Sequence, residues 1–175
     1  MELNRENIDD EIKEHLRYLS EMDSCVSADS PFQLLKKIKR EPIGKGRYFN
    51  CTLFEAANRI MTDLVILYGV KDLLEGKHTD KGIDFDTYTV EFGTNNKNAH
   101  DITAEKNGKK LIGEAFNVAE SFFNDKRYRS LKKLRANPDK EAIKILLYNS
   151  DAVHYNYKPK TNENEYHIKV NVKAE

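Results

Sequence analysis

Asp101 and Glu114 are the two acids whose spacing could carry chemistry. They stand in the segment HDITAEKNGKKLIGEAFNV, where Asn107-Gly108 is the strongest short-range signal for a two-residue type I′ turn. Lys106 then pairs with Lys109, and each pair further out has position numbers summing to 215, a sum that Asp101 and Glu114 meet. Residues opposed in this way share a sheet face roughly 5 Å apart, where like charges repel. A divalent cation relieves that repulsion: Mg²⁺ or Mn²⁺ takes one or two carboxylates and keeps its other positions for water and phosphate. A longer loop would instead shift the register and leave both acids in solvent.

The elements needed to hold such a pair are readable along the chain. ENIDDEIKEHLRYLSEM places Ile8, Ile12, Leu16 and Leu19 at helical spacing. A polar linker ends at Pro31, and the short basic helix FQLLKKIKR stops before Pro42. From Thr52 to about Leu74 a long apolar helix is expected, opened by the capping box Thr52-x-x-Glu55. DFDTYTVEF alternates as a strand, TNNKN is a turn, and HDITAEK with KKLIGEAFNV forms the hairpin. SFFNDKRYRSLKKLR reads as a basic amphipathic helix with Phe123, Leu131 and Leu134 inside, and AIKILLYN as a buried strand, parallel to its predecessor. EYHIKVNVKAE closes the chain as an edge strand. The fold class is therefore mixed α/β (α+β), with a helical extension over residues 1–50 and a core domain over 51–175.

Composition narrows the setting. The chain has 175 residues, 39% apolar and 33% charged, with a mean hydropathy of −0.74, which suits a hydrated protein with a real core. No apolar run is long enough for a membrane span, and the acidic N-terminus lacks a signal-peptide pattern. Cys25 and Cys51 have no redox or metal spacing, so a cytoplasmic location is expected. His100 adjoins Asp101 and is expected to point to the opposite strand face, in a structural role. The zero net charge hides segregation: residues 1–30 hold nine acids and three bases, residues 31–47 six bases and one acid, and residues 126–135 six bases and no acid. Such runs permit a polyanion site, although each also suits an ordinary solvated face.

Asp101, twelve intervening residues and then Glu114 on the next strand, with a long helix before and a helix and strand after, resembles the restriction-endonuclease-like PD-(D/E)xK nucleases over about residues 52–150. The resemblance implies a central mixed sheet flanked by helices, Mg²⁺ (or Mn²⁺) held by Asp101 and Glu114, DNA as substrate and a possible homodimer. It also asks for a lysine two residues after the glutamate, to orient the attacking water. Phe116 occupies that position, and Asn98-Ala99-His100 stands where a proline often precedes the aspartate. Lys126, at the start of the following helix, is the expected replacement, with Lys97 and Lys110 as weaker candidates.

Lys126, Arg129 and Lys133 fall on one helical stripe and are expected to meet DNA phosphates. Tyr128 and Tyr148 suit base stacking or packing, and Glu55 and Glu91 are further carboxylates near the site. The expected activity is Mg²⁺-dependent hydrolysis of DNA phosphodiester bonds. The alternative is an inactive, nuclease-fold DNA-binding protein or subunit, and a protein-contact role for the acidic first helix is a third.

Overall fold

In the computed structural model, which describes residues 1–22, 25–93 and 99–172, a six-stranded sheet runs in sequential order β1 to β6. The strands are β1 (Glu2–Asn4), β2 (Thr87–Val90), β3 (Ile102–Lys106), β4 (Lys109–Phe116), β5 (Ile143–Asn149) and β6 (Glu165–Val170). The first four pair antiparallel, while β4 with β5 and β5 with β6 are parallel. Helices α1 (Ile8–Ser20), α2 (Pro31–Arg40) and α3 (Leu53–Leu74) precede β2, and α4 (Glu120–Arg135) crosses between β4 and β5. The architecture is mixed α/β.

The hairpin forms in the register that the turn dictates. Asn107 and Gly108 have φ of 53° and 77°, the left-handed pair of a type I′ turn. Lys106 faces Lys109, and Ile102 faces Gly113. The expected turn over 94–98, with Lys97 in it, lies outside the described residues.

Strand alternation divides the core in two. Leu111, Ala115, Ile143, Ile145 and Leu147 join Val65, Ile66 and Val70 of α3 on one face. Ile112, Phe116, Leu146 and Tyr148 join Phe123, Leu131 and Leu134 of α4 on the other. The capping box at Thr52 and Glu55 is complete and starts α3. Midway along α3, a Cβ on Gly69 would stand 2.4 Å from Leu147 Cδ1, so a larger residue there would have to displace the buried Leu147 side chain.

The expected N-terminal extension holds α1 and α2 and also contributes to the sheet. Leu3 of β1 is fully buried opposite Tyr88, and Ile8 and Ile12 of α1 enter the main core. No helix among the described residues is long and apolar enough to cross a membrane.

Candidate functional site

Asp101 lies one residue before β3 begins, in a bend over residues 99–101. There the strand alternation that would align it with Glu114 does not operate. Its carboxylate turns along the sheet to accept the backbone N–H of Ala115 at 2.9 Å. Its own carbonyl accepts the N–H of Glu91 at 2.9 Å, which ties the bend to the end of β2.

Asp101 opens onto a cavity of about 260 Å³ on the α3 side of the sheet, shared with Asp63, Glu91, Arg59, Asn58 and Lys126. Three carboxylates from α3, the end of β2 and the entry to β3 thus border one space with a lysine from α4. Lys126, expected to replace the missing lysine, borders the same space as Asp101.

Asp63 is buried on α3. It accepts the Tyr48 hydroxyl hydrogen bond and, at 3.2 Å, the N–H of Gly93. Desolvation outweighs these donors and pushes its carboxyl up to about 6. Gly93 has φ of +70°, and a Cβ there would come within 2.8 Å of the Tyr48 ring. Tyr48, Asp63 and Gly93 therefore form one buried fastening at the cavity wall.

Glu114, expected to share an ion with Asp101, does not line this cavity. As an interior residue of β4 it obeys the alternation and faces α4, 5% exposed. Its Oε1 lies 2.8 Å from Lys133 Nζ and 2.9 Å from His100 Nδ1, and its Oε2 is 2.9 Å from the same lysine. Burial, followed by the nearby Asp101 charge, raises its pKa against the pull of Lys133 and His100. The compensation that the acidic pair demands comes from a lysine and a histidine. His100 does not take the expected opposite face: the bend at 99–101 puts its ring on Glu114's side.

Among the described residues, no group of three or more His, Cys, Asp or Glu side chains is arranged to hold a metal ion. Mg²⁺ asks for less, since one or two carboxylates suffice and water and phosphate complete its shell. Phe116 is 1% exposed, packed on Phe123 and Tyr148. Its slot belongs to the α4 core, where a lysine would have to be buried among aromatic rings.

The basic stripe on α4 is largely occupied. Arg129 pairs with Asp125 at 2.9 Å and Lys133 with Glu114, while Arg135 forks onto the buried Glu165. Arg127 donates to the Tyr157 hydroxyl at 2.6 Å. Lys126 and Lys132 are exposed and have no side-chain partner among the described residues. Tyr148 lies in the core and Tyr128 is exposed. Lys110 is exposed and borders two other cavities, and Glu55 is held in the capping box.

Asp63, Asn58 and Arg59 have no motif to announce them. One signal exists for Asp63: it continues the buried spacing Ala56, Ile60, Asp63 on α3, and an acid at an apolar-periodic position needs a reason to be there. No protein-family model, curated protein or solved structure matches this chain.

Proposed function

We propose that this protein hydrolyses DNA phosphodiester bonds with a divalent metal ion at the Asp101 cavity. The observation that carries this reading is the meeting of Asp101, Glu91, Asp63 and Lys126 around one space. A mixed sheet with α3 before the hairpin, and with α4 and a parallel strand after it, supports the reading.

In this reading Asp101 would hold Mg²⁺ or Mn²⁺, and Glu91 borders the same cavity. Such an ion would supply Lewis-acid chemistry at the phosphoryl oxygen. Lys126 stands at the cavity edge, where its ammonium holds the attacking water or offsets charge on the scissile phosphate. Arg59 and Asn58 offer hydrogen bonds to phosphate oxygens. Asp63 supports the wall through Tyr48 and Gly93, and Glu114 with Lys133 braces the strand that carries Ala115, the backbone partner of Asp101.

The test is plasmid nicking by wild type, Asp101→Asn and Lys126→Ala in Mg²⁺ and in Mn²⁺. Wild type should cleave, Asp101→Asn should not, and Lys126→Ala should turn over far more slowly while binding metal normally. A purified wild type that cleaves nothing in either metal overturns the reading. The occupied Glu114 and the core position of Phe116 favour one second reading, an inactive nuclease-fold DNA-binding protein. Binding without cleavage would select it.

A further inference from the structure

We infer that the outer face of α2, continued onto the start of α3, is a docking surface for single-stranded nucleic acid that leads into the Asp101 cavity. The inference rests on the nucleic-acid reading of that cavity and adds the path by which a strand reaches it.

Helix α2 is anchored by Leu34 and Ile38, which are half-buried, and contains no fully buried residue. Successive residues of an α-helix turn by about 100°, so Leu35, Lys39, Phe32 and Lys36 fall within about 100° of its circumference, beside the anchoring stripe. Phe32 is 74% exposed and Leu35 58%. Lys39 Nζ sits 5.3 Å from the ring centre of Phe54, the second residue of α3, which is itself 53% exposed. Two exposed aromatic rings, Phe32 and Phe54, thus flank two ammonium groups, one of which already lies over the Phe54 ring.

Charge selects the partner. Residues 31–47 hold six bases and one acid. That acid, Glu41, borders a separate cavity behind α2 with Lys37 and Lys45. The neighbouring Glu55 is bound to Thr52 in the capping box. Positive charge interleaved with exposed rings is the chemistry of single-strand binding, in which bases stack on aromatics and lysines follow the phosphates. It contrasts with α4, where most bases are already paired.

The surface is continuous with the cavity. Phe54, Asn58 and Thr62 recur every fourth residue on one side of α3, and Asn58 and Thr62 line the Asp101 cavity. At 1.5 Å per residue, Phe54 lies about 12 Å along the axis from Thr62. Three to four stacked nucleotides cover that span at about 3.4 Å each. A strand stacked on Phe32 and Phe54 would therefore bring a phosphate to Asp101 within a few nucleotides.

The test is fluorescence anisotropy with a labelled 12-nucleotide oligodeoxythymidylate and the full chain in EDTA. Wild type should bind, more weakly as salt rises. Phe32→Ala/Phe54→Ala should weaken binding about tenfold or more, with a much smaller effect on a duplex of equal length. Lys36→Glu/Lys39→Glu should weaken it as well and flatten the salt dependence. All four side chains are exposed, and circular dichroism verifies that each variant is folded. The inference is overturned if wild type fails to bind the oligonucleotide at low salt, or if both variants bind like wild type. It is also overturned if labelled polyglutamate binds as tightly, which would make this an acidic-protein site. A protein that binds but does not cleave sinks the catalytic reading alone, and one that cleaves while both α2 variants bind unchanged sinks this surface alone.

Discussion

Asp101 and Glu114 stand next to one another across the same hairpin and meet opposite fates. Glu114 sits inside β4, follows the strand alternation onto the α4 side, and is neutralised by Lys133 and His100. Asp101 sits one residue outside β3, escapes the alternation, and opens on the α3 side beside Asp63, Glu91 and Lys126. A strand's pairing register fixes which backbones are neighbours. It fixes which side chains are neighbours only while the ladder continues.

The contrast is sharpest in activity. If the chemistry belongs to the Asp101 cavity, Asp101→Asn should lose about 100-fold or more in nicking rate, because it removes the carboxylate that would hold the ion. Glu114→Gln should keep cleavage within about tenfold of wild type, since its oxygens already serve Lys133 and His100. Plasmid nicking compares the two directly. Equal loss in both would mean that Glu114 leaves Lys133 to share the ion, and the two sites would be one.

The two faces should also respond differently to pH. Asp63 has its carboxyl raised to about 6 from an ordinary 3.8. Between those values the folded state keeps a proton that the unfolded chain has lost, so stability falls as pH rises through this window. A displacement of that size is worth at most about 3 kcal/mol. Asp63→Asn keeps the shape and cannot ionise, so its urea-unfolding free energy should gain on wild type from pH 4 to pH 6. A difference that stays flat across that range would mean that Asp63 is ionised in the fold and adds a negative charge to the cavity.

On the α4 face the effect is smaller and of opposite sense. Lys133→Met leaves the buried Glu114 with His100 alone, at a cost of about 1–3 kcal/mol near neutral pH. The deficit should shrink in acid, where Glu114 takes up a proton. Lys132→Met, one position away and without a partner among the described residues, should stay within about 0.5 kcal/mol of wild type. Denaturant titration of both variants at two pH values checks the pair.

How far the sequence reaches follows the same line. Features set by local chemistry are legible: the type I′ turn and its register, the capping box of α3, the buried stripe of Phe123, Leu131 and Leu134 on α4, and the parallel β5. Features set by tertiary contact are not. β1 spans three residues and is too short to show a period, and its Leu3 becomes core only through pairing with β2. The bend before Ile102 leaves no mark in HDITAEK, so Asp101 reads as a strand residue. Lys133 resembles one more base on a solvated stripe, because nothing local says that β4 holds an acid beneath it. Phe116 stands out in the sequence only as a missing lysine, and its reason is the aromatic core formed with Phe123 and Tyr148.

The smallest expected effect tests what both sites share. Asn107 holds φ of 53°, a left-handed conformation that costs most residues about 1–2 kcal/mol and asparagine or glycine much less. Asn107→Ala should therefore lower stability by about 1 kcal/mol, visible as a few degrees in Tm. Asn107→Gly should cost a few tenths at most. The turn sets the hairpin register, and that register supplies both the Ala115 N–H to Asp101 and the position of Glu114 under α4. Any loss of cleavage in Asn107→Ala should then follow the fraction unfolded and vanish at low temperature. A variant that is fully folded yet inactive would show that the turn tunes the Asp101 bend directly. The ladder and the bend would then act as one unit.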